Sequence, residues 1–239
     1  MLNNKKAAFG VLVLLCCIFA GVVFDRYVLI SQDIPALYRE ARLNVVQQYL
    51  DEADPGFVLI AGDSNAELHS PSEGMCGRAV INVGASGATT KAYAGFLEEL
   101  RFPVRPWAAV LTIGTNDLNR KKDPTSARSE AYFETELDAL IVKLRSITDT
   151  VFVTAVPPIS REAKHEIDAL AVVEYSQQIK AACERLGCRF IDPFVSLRES
   201  GTGYGLPGVN VNGKHLKRYK PVFSTVAANL CPDQSTRGQ

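Results

Sequence analysis

Acyl-transfer chemistry could be carried out by a set of four residues in this chain, namely Ser64, Gly84, Asn116 and His215. A serine hydroxyl becomes an effective nucleophile only when a neighbouring base accepts its proton. The reaction also needs hydrogen-bond donors for the oxyanion that develops, and a backbone N–H at a glycine or an asparagine amide can supply them. Each residue type is also common in turns and helix caps, so only the combination favours catalysis.

The base is expected to be a histidine, because the ordinary pKa of this side chain lies close to neutral pH. The chain contains His69, His165 and His215. His69 lies about one helical turn after Ser64, and His165 lies among charged residues, so we interpret both as solvated surface histidines. His215 follows the glycine-rich segment 201–213. We therefore expect His215 to lie on a loop that reaches Ser64, although a loop histidine without a role would show the same pattern.

Short apolar runs alternate with helical stretches along most of the chain. The strand candidates are Phe57 to Ala61, Ala79 to Val83, Ala108 to Ile113, Val151 to Ala155 and Arg189 to Ile191. Apolar residues at helical spacing lie between these runs, and a last helix is predicted to begin near Pro221. This alternation predicts a parallel sheet that is covered by helices on both faces.

A parallel sheet would bring the polar motifs together. The carboxyl ends of its strands lie at one edge, and ligands bind in the crevice there. Ser64, Gly84 and Asn116 each lie shortly after a predicted strand. We therefore expect the three residues to be neighbours in the fold, although they are far apart in the sequence.

These motifs, in this order, resemble those of the SGNH/GDSL hydrolase family, which is named for its serine, glycine, asparagine and histidine. Ser64 matches the first block, Gly84 the second, Asn116 the third and the segment Asn212 to Leu216 the last. The likeness extends over about residues 57 to 230. Four blocks in the correct order are far more specific than any one of them.

The resemblance implies a flavodoxin-like three-layer α/β/α sandwich with a five-stranded parallel sheet. It further implies an acyl-enzyme on Ser64, His215 as base, and an oxyanion hole from the N–H groups of Ser64 and Gly84 with the Asn116 side chain. The activity implied is that of an esterase, lipase or carbohydrate deacetylase on a small acyl ester or an acylated glycan, without a metal or cofactor.

One position departs from the family pattern, which usually has an aspartate three residues before the histidine. Here Asn212 occupies that position, so we assign it to the catalytic set in the aspartate's place. Its amide oxygen can accept the Nδ1–H bond of the histidine but carries no charge to stabilise the imidazolium. Asp192 or Glu199 could supply that charge. The alternatives left open are an O-acyltransferase acting on a glycan and a catalytically weak, membrane-tethered binding protein.

The N-terminal region contains an apolar run from Ala7 to Phe24, behind two lysines. A helix of that length rises about 27 Å, close to the hydrocarbon thickness of a bilayer. The preceding lysines leave residues 1–6 in the cytoplasm and send the rest of the chain to the periplasmic or extracellular side. We therefore expect a single-pass signal anchor over residues 7–24. A signal peptide cleaved after about Ala20 and a buried core helix are the alternatives.

The remaining boundaries follow from the same patterns. Apolar residues at helical spacing predict an amphipathic helix over Ile34 to Leu50, within a juxtamembrane linker over residues 25–54. The hydrolase domain is expected over residues 55–232, with a flexible tail over residues 233–239. Lysine plus arginine and aspartate plus glutamate both number 26, which gives no indication of a nucleic-acid partner.

Four cysteines lie outside the apolar run, and they are Cys76, Cys183, Cys188 and Cys231. Two precede predicted strands and two lie at predicted helix ends, positions that share the sheet edge opposite the polar motifs. We predict disulfides between Cys183 and Cys188 and between Cys76 and Cys231. Four reduced thiols are the alternative.

Overall fold

Five parallel strands form the central sheet. They are β1 (Val58–Gly62), β2 (Val80–Asn82), β3 (Ala108–Thr112), β4 (Val151–Thr154) and β5 (Arg189–Ile191), in the order β2-β1-β3-β4-β5. The predicted five-stranded parallel sheet is therefore confirmed. The order of the strands reverses at β1, which has β2 on one side and β3 on the other. Ligands of open α/β sheets bind beside such a reversal, at the carboxyl ends of the strands.

Helices connect these strands in the computed structural model, which describes residues 35–71 and 73–232. The helices are α1 (Ala36–Asp51), α2 (Ser64–Glu67), α3 (Thr90–Glu99), α4 (Ala127–Ile147), α5 (Ala169–Leu186) and α6 (Lys220–Leu230), with short 3-10 helices at Arg120–Lys122, Arg161–His165 and Val195–Leu197. An antiparallel hairpin of β6 (Asn210–Val211) and β7 (His215–Leu216) precedes α6. It is absent from the predicted strands because strands this short show no alternation of apolar residues.

The strand side chains alternate between two hydrophobic clusters, one on each face of the sheet. Leu59, Leu111 and Val153 belong to the larger cluster, which also contains residues of α1, α3, α4 and α5. Val110 and Phe152 belong to the smaller cluster, which contains residues of α6. Complete burial of such a side chain is worth about 1.5–3 kcal/mol. The predicted three-layer α/β/α arrangement is confirmed by this packing.

Helix α1 packs against the domain, which corrects the predicted boundary at residue 55. Val46 and Leu50 are buried in the larger cluster. The Arg42 guanidinium donates to the carbonyl oxygens of Gly84, at 2.8 Å, and Asn82, at 3.0 Å. Residues 36–51 therefore belong to the same unit as the sheet, and not to a separate linker over residues 25–54.

Both predicted cysteine pairs lie at disulfide distance. The Cα atoms of Cys76 and Cys231 are 6.0 Å apart, and those of Cys183 and Cys188 are 4.4 Å apart. The longer connection joins the segment before β2 to the end of α6, and the shorter one spans the end of α5.

The predicted anchor over residues 7–24 and the tail over residues 233–239 lie outside the described residues. Among the helices that the structure does describe, none combines the length and the apolar character needed to span a bilayer.

Candidate active site

Strand β1 delivers Ser64 to the carboxyl edge of the sheet. The strand ends at Gly62, whose φ is +136° and where a Cβ atom would lie 1.8 Å from the carbonyl oxygen of Thr112. Only glycine allows β1 to pass β3 so closely at this point. Asp63 then caps α2, because its carboxylate accepts the N–H of Asn65 at 2.8 Å. Ser64 therefore opens a short helix immediately after the strand.

The structure brings Ser64 and His215 together. The distance between Ser64 Oγ and His215 Nε2 is 3.0 Å, although 151 residues separate them in the sequence. His215 is the first residue of β7, so the β6–β7 hairpin fixes its backbone. With the histidine proton on Nδ1, Nε2 accepts the hydrogen bond from the serine hydroxyl. This is the geometry in which a neutral imidazole can remove the serine proton.

Asn212 forms no hydrogen bond with His215 in the described structure, which corrects its assignment to the catalytic set. It is exposed in the hairpin turn with a φ of +52°, a conformation that asparagine tolerates. Its backbone carbonyl accepts the N–H of Lys214 at 2.9 Å, and its side chain makes no hydrogen bond within residues 35–71 and 73–232. The turn geometry therefore explains Asn212 without a catalytic role.

The two other candidate carboxylates are engaged elsewhere. Asp192 binds Arg198, with Nη1 and Oδ2 2.8 Å apart, and Glu199 forms an ion pair with Arg161. In the described part of the chain, no side chain hydrogen bonds Nδ1 of His215. The arrangement is a serine–histidine dyad.

The surroundings of His215 favour its neutral form. Burial lowers the pKa of the His215 imidazole below its ordinary value, and the positive charge of Lys214 lowers it further. The ring is therefore a proton acceptor at lower pH than an ordinary histidine would be.

His69 is partly buried, so the prediction that it is a solvated surface histidine is wrong. Its ring stacks on that of Tyr219, with centroids 3.6 Å apart and an interplanar angle of 13°. Burial and, second, the charge of His215 lower the pKa of His69 to about 4. Its Nε2 is buried and has no hydrogen-bond partner among the described residues. His69 is thus a neutral histidine near the dyad, whereas His165 is exposed as predicted.

A buried network holds the nucleophile's neighbours in place. The Asn65 amide donates to Thr115 Oγ1 at 3.1 Å, and its oxygen accepts the Tyr219 hydroxyl at 2.9 Å. The second carboxylate oxygen of Asp63 accepts the N–H of Thr115 at 3.3 Å. Burial raises the pKa of Asp63 to about 6. The network connects α2, the segment after β3 and the start of α6, and the first two of these carry the Ser64 and Asn116 blocks.

Gly84 does not offer its N–H to the site, which corrects its predicted role in the oxyanion hole. This N–H donates to Asn82 Oδ1 at 2.9 Å. A Cβ atom on Gly84 would lie 2.5 Å from the backbone nitrogen of Glu67. The glycine is therefore required for the close packing of this segment against α2.

Gly87 lies close to Gly84 in the sequence but was not among the predicted site residues. It is exposed with a φ of +80°, and in the described residues its N–H makes no hydrogen bond. The Asn116 amide donates to the carbonyl oxygen of Ala88 at 2.9 Å, which leaves one amide hydrogen for another acceptor. The N–H of Ser64 is likewise without a partner in the described chain. The sequence signal for Gly87 is that the segment Asn82 to Gly87 after β2 contains two glycines, Gly84 and Gly87.

Within residues 35–71 and 73–232, no group of three histidine, cysteine or acidic side chains is arranged to hold a metal ion.

Comparisons with known proteins agree with this geometry. The GDSL-like lipase/acylhydrolase family matches residues 61–209, more than half of the chain. No curated protein sequence matches this chain. A lipase/acylhydrolase from Enterococcus faecalis is similar in structure, with a TM-score of 0.59, 20% identity, and coverage of 74% of this chain and 95% of that one.

Two further solved structures show the same fold. A GDSL-like lipase from Bacteroides thetaiotaomicron has a TM-score of 0.59 and 16% identity, with 81% of this chain and 99% of that chain covered. A carbohydrate acetylesterase from Sinorhizobium meliloti has a TM-score of 0.56 and 16% identity, with 75% and 99% covered.

Proposed function

The chain belongs to the GDSL-like lipase/acylhydrolase family, and on that premise we propose that it hydrolyses a carboxylic ester through an acyl-enzyme on Ser64. The observation that carries the proposal is the 3.0 Å distance between Ser64 Oγ and His215 Nε2. A serine within hydrogen-bond reach of a neutral imidazole has the activated nucleophile that acyl transfer requires.

The reaction has two stages. Ser64 Oγ attacks the ester carbonyl while His215 Nε2 takes the hydroxyl proton, and the tetrahedral oxyanion accepts hydrogen bonds from the N–H groups of Ser64 and Gly87 and the free amide hydrogen of Asn116. The tetrahedral intermediate then collapses, and the bond between the former carbonyl carbon and the alcohol oxygen breaks. The alcohol oxygen receives the proton from His215. Water then attacks the acyl-enzyme, with His215 again as base, and releases the acid and free Ser64.

The dyad works without a carboxylate on His215. A partner carboxylate normally orients the imidazole and stabilises the imidazolium. Here the β6–β7 hairpin fixes the backbone of His215, and the lowered pKa of the imidazole keeps it neutral at neutral pH. His215 is therefore neutral and able to accept the serine proton, but its imidazolium form is less stabilised than it would be beside a carboxylate.

We propose a short acyl group on a carbohydrate as the substrate class. The similarity to a carbohydrate acetylesterase supports this choice, because its acyl group is small.

The protein is proposed to act on the outer side of a membrane, anchored through residues 7–24. The apolar run and the two disulfides support that location, since disulfides persist in oxidising compartments.

A panel of aryl esters with graded acyl length tests the activity. The full-length protein in neutral detergent should turn over the shortest esters best, and Ser64→Ala should lose turnover while keeping the thermal unfolding temperature. A serine-directed phosphonate should label the wild-type protein and not the variant. Retention of most activity by Ser64→Ala would refute the mechanism. Adding an acylatable glycan to the same assay distinguishes transfer from hydrolysis.

Membrane attachment has a separate test. The protein should remain in the membrane fraction after a carbonate wash, with residues 35–232 open to protease from outside the cell. A soluble mature form that begins near Gly21 would instead identify a cleaved signal peptide.

A further inference from the structure

Four cations lie close to His215 in the sequence. They are Lys214, Lys217, Arg218 and Lys220. None of them forms an ion pair within residues 35–71 and 73–232, whereas Arg161, Arg185 and Arg198 and several other arginines of the described chain do. The chain as a whole has no net charge, so this cluster is a local feature and does not follow from a basic composition.

The cluster is close to the base along the chain. Consecutive Cα atoms are about 3.8 Å apart, so the Cα of Arg218 lies within about 11 Å of the Cα of His215. Lys217, Arg218 and Lys220 are exposed, and their side chains are long and flexible. The charge of Lys214 already reaches the imidazole, because it lowers the pKa of His215.

Four carboxylates that the structure describes around the site are engaged elsewhere. Asp63 is buried and accepts two backbone N–H groups. Asp117 accepts the N–H and the hydroxyl of Thr90, each at 3.0 Å. Asp192 and Glu199 are held by arginines. Adjacent like charges repel one another, and a bound anion would remove that repulsion.

The position of His215 identifies which half of the ester meets the cluster. His215 returns its proton to the alcohol oxygen that leaves, so groups beside it lie on the alcohol side of the scissile bond. We infer that the alcohol half of the substrate carries a negative charge, as a carboxylate or a phosphate, and that Lys214, Lys217, Arg218 and Lys220 bind it. The inference rests on the proposed ester hydrolysis.

A matched pair of acetate esters tests this inference with the full-length protein in neutral detergent. The pair is 4-acetoxybenzoate, whose leaving group is anionic, and its neutral methyl ester. The double variant Lys217→Gln with Arg218→Gln removes two charges of the cluster. The control Lys143→Gln with Lys180→Gln removes two charges from α4 and α5, on the opposite face of the sheet from α6.

The ratio of kcat/KM for the anionic to the neutral ester is the measured quantity. The cluster variant should lower this ratio by about 5- to 30-fold, as expected for two contacts of roughly 0.5–1 kcal/mol each. The control should leave the ratio within about twofold of wild type, and high salt should reduce the wild-type preference. An unchanged ratio in the cluster variant would overturn the inference while leaving the hydrolase proposal intact. Wild-type protein inactive on both esters would instead refute the proposed function.

A second arm distinguishes the source of the negative charge. Phosphatidylglycerol and phosphatidylcholine in mixed micelles replace the soluble esters, with the same variants. If the cluster variant loses kcat/KM only on 4-acetoxybenzoate, the result supports a soluble anionic substrate. If it loses kcat/KM only on phosphatidylglycerol, the result supports an anionic lipid ester. If neither anionic substrate loses turnover relative to its neutral partner, the inference is wrong.

Discussion

The imidazole of His69 stacks on the phenol ring of Tyr219, with ring centroids 3.6 Å apart, and lies close enough to His215 for the charge of His215 to lower the pKa of His69. Tyr219 in turn donates its hydroxyl to Asn65, the residue that follows the nucleophile. The stack therefore links the base, the nucleophile and helix α6 on one side of the site. The amino-acid spacing contains no sign of it, because an outward-facing helical position was expected for His69.

The stack predicts a pH-dependent stability. The pKa of His69 is about 4 in the folded protein and about 6.5 in an unfolded chain, so folding favours the neutral ring. This contribution is complete above pH 6.5 and is lost as the pH falls towards 4. His69→Phe keeps an aromatic ring on Tyr219 and cannot titrate, so its unfolding temperature should fall less over that range than that of wild type. His165→Phe, at an exposed position, is the control and should follow wild type. Equal slopes for all three proteins would contradict the burial of His69.

Asn116→Ala should slow the chemical step. The variant loses one donor to the oxyanion, which costs about 10²–10³ in kcat at sites of this kind. Gly84→Ala is the contrasting variant, because its Cβ would lie 2.5 Å from the Glu67 nitrogen and should lower the unfolding temperature. A loss in Asn116→Ala that is confined to KM would argue for a role in substrate binding only.

Lys214→Gln should move the acidic limb of the pH–rate profile to higher pH. The positive charge of Lys214 is the second cause, after burial, of the lowered pKa of His215. Removing it raises that pKa, so a larger fraction of the imidazole is protonated and inactive at a given acidic pH. The profile of kcat/KM on a neutral acetate ester measures the shift. A limb that stays in place or moves to lower pH would show that Lys214 does not act on the base.

Asn212→Asp should leave the rate nearly unchanged. The side chain is exposed in the turn and does not face Nδ1 of His215, so a carboxylate there does not complete a triad. Aspartate also tolerates a positive φ, so stability should be retained. We expect kcat to stay within about threefold of wild type. In a serine protease triad, by contrast, exchanging aspartate and asparagine changes kcat by about 10⁴. A gain of a hundredfold would show that Asn212 does contact His215 during catalysis.

The two disulfides should differ in their contributions to stability. The loop closed by Cys76 and Cys231 has a sequence separation of 155, and that closed by Cys183 and Cys188 a separation of 5. The chain-entropy account gives about 5 kcal/mol for the first and about 2 kcal/mol for the second. Replacing the first pair by serines should therefore lower the urea midpoint more than replacing the second. Peptide mapping that finds four free thiols would refute both pairings.

The local sequence determined the sheet, because burial on both faces requires runs such as Val58–Gly62 and Ala108–Thr112 to be continuously apolar. The motifs and their order also identified Ser64 and His215 as candidates for the nucleophile and the base, because they resemble those of the GDSL-like family. The cysteine pairs followed from the same topology. None of these conclusions needed the direction of a side chain.

The tertiary structure decided the features that depend on such directions. Gly84 and Gly87 share one motif, and only the contact with Asn82 shows that the first N–H is occupied. Asn212 has the family position of a triad residue, but its left-handed turn conformation leaves its side chain exposed. His69 is partly buried, and Tyr219, the residue before α6, stacks on its ring. Hydrogen-bond partners and burial at these positions come from residues far away in the chain, and local periodicity contains no information about them.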